Sequence, residues 1–197
     1  MTQYLTQHQE DEIGFMMHDA LMQFYLGTGQ DNRGRTLQEI LTWSDLELEM
    51  THDYIQWLFP LTESSFYNCN APRLQADDII KFCSNSYLQQ QLLRSLRYIL
   101  TFYGFQLSDS LEEGSGEPQI SLANNFSKQA RNWLNPYNHN YLRITRILKC
   151  LCLTGLSKCA TVFLQCLETL YQEYTADIGE KTLWYWRDAL TIQPPLG

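Results

Sequence analysis

No uninterrupted apolar stretch reaches the roughly eighteen residues that a membrane-spanning helix needs. The first residues, MTQYLTQHQEDE, offer neither a basic start nor an apolar core of the kind that directs export. Cysteine occurs six times, yet no two residues form a C-x-x-C pair, so the spacing typical of a zinc motif is missing. Four of the six lie in leucine-rich helical patterns, where a buried free thiol in a reducing cytosol is expected. Acidic residues are absent from Pro118 to Leu167, a stretch that carries Lys128, Arg131, Arg143, Arg146, Lys149 and Lys158. Strict apolar/polar alternation is missing too, which argues against strands.

The first 117 residues hold 17 acids and 6 bases, so the overall charge of -8 hides a strong polarity along the chain. Such polarity points to an anionic partner for the basic segment, or to acidic and basic surfaces docking within the molecule. At 44% hydrophobic and 13% aromatic residues, the composition is that of a globular chain with a real core. Its length fits one domain, with a core from about residue 15 to 190.

Helical patterns account for most of the chain. Ile13, Met16, Met17, Ala20, Leu21 and Phe24 form one face of a helix ending near Gly27 and Gly29. TLQE (36–39) and SDLE (44–47) both match the capping box. The second is expected to start a helix running from Asp45 to about Leu58, where Pro60 enforces a stop. NCNAP (68–72) reads as a loop, followed by a short helix at Asp77–Cys83. A longer one carries Leu88, Leu92, Leu96, Ile99 and Tyr103 on one face and stops at Gly104. SDSLEEGSGEPQ (108–119) reads as a mobile acidic loop. Helices at Leu122–Leu134, His139–Thr154 and Ser157–Tyr174 follow, then a short aromatic one at EKTLWYWRDAL. The expectation is an all-α single domain, a bundle of seven or eight helices.

HDYIQWLFP (52–60) raises the question of function. On an ideal helix Leu48, Tyr54, Ile55, Trp57, Leu58 and Phe59 cover more than half the circumference, which predicts a mostly buried helix. The remaining stripe holds Asp45, Glu49, His52, Asp53 and Gln56. Glu49 and His52 make half of a di-iron motif, but no other histidine has a Glu three residues before it. A His-Asp metal phosphohydrolase would need a further Asp on a later helix, where the acid-free segment offers few positions. No metal, no cofactor and no catalytic residue is therefore expected. GTGQDNRGR (27–35) could cradle a phosphate, but it follows a helix and reads as a turn between helices. On the basic helix, His139, Arg143, Arg146 and Cys150 fall within about 60° of one another, with Asn140 at the same end.

The residues GRTLQEILTWSDLELEMTHDYIQWLFPL and NHNYLRITRILKCLCLTGL resemble the conserved domain of the opioid growth factor receptor family. FYLG (24–27), NAP (70–72), LLRSLRYILTFYGF (92–105) and YWRDA (185–189) fit the same family. The resemblance implies an all-helical, non-enzymatic receptor domain that binds an opioid pentapeptide, met-enkephalin, and associates with the nuclear envelope in growth signalling. The candidate binding residues are Glu49, His52, Asp53 and Gln56 on one helix, and His139, Asn140, Arg143 and Arg146 on another. The two stripes are expected to share a polar cleft that takes a short peptide, or an anionic small molecule, or else to pair directly with each other. A helical enzyme acting on a phosphorylated or anionic substrate is the alternative, and an interaction scaffold the third reading. No nucleic acid is expected as a partner. The expected location is cytoplasmic, with peripheral membrane or nuclear-envelope association implied only by the resemblance.

Overall fold

The computed structural model describes residues 20–65, 68–108 and 116–194. The chain divides into two compact units, Met1–Lys81 and Phe82–Gly197. The all-α class is observed, with one short β-ribbon in the second unit.

In unit 1, helix α1 is described over residues 20–26 and ends at Gly27, whose φ of 75° suits a residue without a side chain. The start expected near Ile13 lies outside the described residues. A turn leads to α2 (Leu37–Ile40) and then α3 (Asp45–Met50). Both begin with the capping box read from the sequence. Glu39 N–H donates to Thr36 Oγ1 at 3.2 Å, and Thr36 N–H donates back to Glu39 Oε2 at 2.6 Å. Ser44 and Glu47 repeat the exchange at 3.3 and 2.7 Å. These bonds hold both glutamate carboxyls below their ordinary pKa.

The helix expected from Asp45 to Leu58 is not continuous. It is split into α3 and α4 (Ile55–Leu58), and Thr51 is extended with ψ 130°. The cause lies in the residues between. Thr51, His52 and Asp53 are weak helix formers, and Asp53 is drawn into contacts with Arg33 and Arg35, twenty and eighteen positions earlier. The core expectation for the segment holds: Tyr54, Trp57 and Leu58 are buried. The Trp57 ring lies 5.3 Å from that of Phe24, and Trp57 Nε1 donates to Asn32 Oδ1 at 3.0 Å. The Tyr25 hydroxyl donates to the carbonyl of Leu58.

Helix α5 (Ala76–Ser84) contains the boundary between the units. In unit 2, α6 (Ser86–Tyr103) is capped by Asn85 Oδ1, which accepts from the amides of Tyr87 and Leu88. It buries Leu88, Leu92, Leu96, Ile99 and Tyr103, the stripe read from the sequence. Gly104 stops it at φ 83°, and a Cβ there would come within 2.9 Å of Phe126 Cα, so glycine is required twice over.

Strands β1 (Phe105–Leu107) and β2 (Ile120–Leu122) then pair antiparallel, Phe105 opposite Leu122 and Leu107 opposite Ile120. They correct the expectation of no strands and the placement of Leu122 in a helix, because three residues are too few to show a period of two. Residues 109–115 of the expected mobile loop lie outside the described residues. Helices α7 (Phe126–Trp133), α8 (Asn140–Leu153), α9 (Ser157–Glu173), α10 (Thr175–Ile178) and α11 (Glu180–Ala189) complete the unit. Among the described residues the helices outnumber the expected seven or eight, because the break at Thr51–Tyr54 splits one apolar pattern and α10 is a four-residue helix too short to show a period.

Helix α8 packs on α9 and α11. Trp133 meets Tyr103 edge to face at 5.3 Å and donates to its carbonyl at 3.0 Å. Trp186 donates to the carbonyl of Tyr141 at 3.2 Å, so the indole N–H groups of this core are satisfied. Cys150, Cys152 and Cys159 are buried free thiols, as expected, whereas Cys69 and Cys83 are exposed. Burial pushes Cys150 up to about 12 and Cys159 to about 11, so both stay protonated and inert at neutral pH. No helix among the described residues is long and apolar enough to cross a membrane.

Candidate functional site

The turn at residues 27–36 in unit 1 is built around Asp31. The backbone closes on itself, with Asp31 N–H donating to Arg35 O at 2.8 Å and Gly34 N–H to Asp31 O at 3.0 Å. The Asp31 carboxylate points back into this turn. Its Oδ1 accepts from the amides of Arg33 and Arg35 at 2.8 and 2.9 Å, and its Oδ2 from Arg35 Nε at 2.6 Å. Asp31 thus supplies a buried anion that fixes the direction of one guanidinium.

That guanidinium reaches Asp53. Arg35 Nη1 lies 2.9 Å from Asp53 Oδ1, and Arg33 Nε lies 3.0 Å from Asp53 Oδ2. Arg35 also lies over the Trp43 ring, 5.3 Å from its centroid, where a planar cation is favoured. Asn68 Nδ2 donates to the carbonyl of Asp53 at 2.8 Å, which holds the backbone of the helix break. The two arginines differ in one respect that matters for function. The Arg35 side chain is 19% exposed and doubly bound, whereas that of Arg33 is 67% exposed and bound to Asp53. An exposed pair of this kind contributes about 0–1 kcal/mol, so Arg33 can leave Asp53 at little cost, and Arg35 cannot.

Burial pushes the Asp53 carboxyl upward, and the hydrogen bonds and charges of Arg35 and Arg33 outweigh it, leaving the pKa below the ordinary aspartate value. A depressed carboxylate stabilises the fold above its unfolded pKa of about 4 and loses that contribution as pH falls through the lower folded value. Asp53→Asn is therefore expected to melt below wild type by a constant margin at neutral pH. The margin should close as pH falls below about 4, in thermal melts followed across pH. Parallel curves down to the acid limit would contradict this.

The other candidate residues of the first set are dispersed by the helix break. His52 is exposed, with Nδ1 3.1 Å from the Met50 carbonyl. Glu49 is half-buried on α3. Gln56 is buried, and its Nε2 donates to Ser65 Oγ at 3.3 Å and to the His52 carbonyl at 3.4 Å. Gln56 braces the break from inside and does not form an outer stripe. Among the described residues, no group of three His, Cys, Asp or Glu side chains is arranged to hold a metal ion.

The second set belongs to unit 2. Asn140 is fully buried at the start of α8, and its Oδ1 accepts from Tyr103 Oη at 3.2 Å and from Arg143 Nη1 at 3.1 Å. Arg143 is only 5% exposed. His139 and Arg146 are half-buried. The expected basic stripe is thus largely covered, and Leu142 is the side chain of the first turn that faces solvent. A groove of about 890 Å³ also lies in this unit, where Ile120 and Leu122 of β2 face Val162, Cys166 and Leu170 of α9. None of the candidate residues lines it. The sequence reading placed Asp31, Arg33 and Arg35 in a turn between helices and gave them no binding role, although D-x-x-x-R closed by a glycine is a turn signature that could have placed them together.

Residues 14–193 match the family described as the opioid growth factor receptor (OGFr) conserved region. The chain belongs to the opioid growth factor receptor family. It is 36% identical over 180 residues to the opioid growth factor receptor of Rattus norvegicus, covering 89% of this chain and 27% of that protein. To the Homo sapiens opioid growth factor receptor it is 41% identical over 126 residues, 62% of this chain and 18% of the relative. An opioid growth factor receptor-like protein 1 of Xenopus tropicalis is 39% identical over 121 residues, 60% of this chain and 22% of the relative. The chain therefore spans about a quarter or less of the length of these relatives. No solved structure matches it. The conserved region takes in both the Asp31–Asp53 cluster and helix α8.

Proposed function

We propose that this domain is a non-enzymatic binding module for a short peptide and that it takes the peptide's C-terminal carboxylate at Arg33. The observation that carries the reading is the unequal hold on the two arginines. Arg35 is fixed by Asp31 and Asp53, while Arg33 presents a largely exposed guanidinium held through an exchangeable contact. A carboxylate arriving at Arg33 can be bound bidentately, the geometry at which guanidinium is strongest. Asp53, released from one of its two cations, then faces the incoming peptide with negative charge. A zwitterionic peptide matches that arrangement. The relatives' name, opioid growth factor receptor, supports a peptide as ligand. Asp53 engages two guanidiniums, contacts that support binding over acid–base catalysis.

Calorimetric titration with an opioid pentapeptide, as free acid and as C-terminal amide, tests the reading. The amide is expected to bind about tenfold more weakly to wild type, a difference of about 1.4 kcal/mol. Arg33→Gln is expected to abolish the discrimination while leaving the thermal midpoint nearly unchanged. Equal affinity of wild type for both forms, or binding of neither, would overturn it.

A further inference from the structure

The connection between α7 and α8 holds an aromatic residue in a place where folding gains nothing from it. Tyr137 has φ 61°, the one positive value at a non-glycine among the described residues, and its side chain is fully exposed. A bulky residue is disfavoured in that region of backbone space, where glycine or asparagine would sit without strain. The loop is nonetheless tied down by hydrogen bonds. Asn138 Nδ2 donates to Asn132 O at 3.3 Å and to Asn135 Oδ1 at 3.2 Å, and its Oδ1 accepts from Asn140 N and Nδ2, both at 2.9 Å. Tyr141 N–H donates to Asn138 O at 3.1 Å, which ties the loop to the first turn of α8. One residue therefore combines a strained backbone with an unburied ring, and its neighbours keep it there.

Strain that the fold does not use belongs to something outside the fold. An ordered, exposed tyrosine is the kind of anchor that dominates interface energy once a partner covers it. Its surroundings state the partner's charge. Lys128 and Arg131 are exposed on α7, the helix to whose end the loop is bonded, and Leu142 is exposed in the first turn of α8. No acidic residue occurs from Pro118 to Leu167. Across the packed elements, Asp177 on α10 is half-buried and its backbone carbonyl accepts the Tyr141 hydroxyl at 3.2 Å, while the exposed Glu180 and Asp188 of α11 are each followed or preceded by a base, Lys181 and Arg187. We infer that Tyr137, Arg131 and Leu142 form a docking surface for an acidic peptide segment of another protein, with an apolar side chain seated on the Tyr137 ring. This surface lies in unit 2, and its assignment is independent of the Arg33 reading.

The test uses the full chain with short synthetic peptides rich in Asp and Glu around a single Leu or Phe, and with lysine counterparts of the same pattern. Fluorescence anisotropy is expected to show binding of the acidic peptides over the lysine ones, weakening as salt is raised. Tyr137→Asn is expected to weaken that binding about tenfold while its melting temperature holds or rises, because asparagine accepts the left-handed backbone. Arg131→Glu should weaken it to a similar degree. Acidic peptides binding no better than lysine ones would overturn the inference. So would a Tyr137→Asn variant that melts several degrees below wild type, since the ring would then be structural. Sedimentation that shows wild type dimerising and Tyr137→Asn monomeric would also overturn it, by making a second copy the occupant.

Discussion

Trp57→Ala is expected to lower the unfolding free energy by about 3–5 kcal/mol, the range for deleting a buried tryptophan. The indole is 1% exposed and packs on Phe24 at 5.3 Å between rings. Its removal forfeits the transfer of a large apolar surface and leaves a cavity whose walls relax only in part. The lost hydrogen bond to Asn32 adds little, because Asn32 is exposed and water can replace the donor. For a chain of this size each kcal/mol moves the midpoint by about 2–4 °C. Thermal and urea unfolding should therefore both register the loss, and melts superimposable on wild type would contradict the buried placement of Trp57.

Asp31→Ala is expected to cost a similar amount, about 3–5 kcal/mol, for a different reason. The carboxylate has no exposed surface and satisfies the amides of Arg33 and Arg35 together with Arg35 Nε. Alanine leaves those donors without their acceptor and frees the Arg35 guanidinium from the group that aims it at Asp53. The damage should spread along the turn, so hydrogen exchange at the Arg33 and Arg35 amides is expected to accelerate more than at α2. Asp31→Asn keeps one acceptor oxygen and should fall between wild type and alanine. Unchanged exchange at both amides in Asp31→Ala would show that the turn holds without its anion.

What the sequence disclosed was what is decided locally. The two capping boxes were legible because four consecutive residues contain both halves of each exchange. The α6 stripe and its glycine stop were legible because period and terminator lie on one helix. Burial of Tyr54, Trp57 and Leu58 followed from apolar residues alone and survived the loss of the helix used to infer it. The break at Thr51–Tyr54 was not legible, because its cause is a carboxylate whose partners lie at positions 33 and 35. The β-ribbon escaped notice because three residues per strand carry no usable period. Arg143 was read as part of a charged edge, and its burial against Asn140 depends on Tyr103 from another helix. The family, by contrast, was legible in motif strings, which need no geometry at all.

The central claim about the site is that Arg35 holds Asp53 in place while Arg33 is the cation left to bind a ligand. Two double-mutant cycles on unfolding free energy test it most directly, Asp53→Asn with Arg35→Gln and Asp53→Asn with Arg33→Gln. The account predicts coupling of about 1 kcal/mol or more in the first cycle and additivity within about 0.5 kcal/mol in the second. Strong coupling of Asp53 to Arg33, with Arg35 additive, would contradict it.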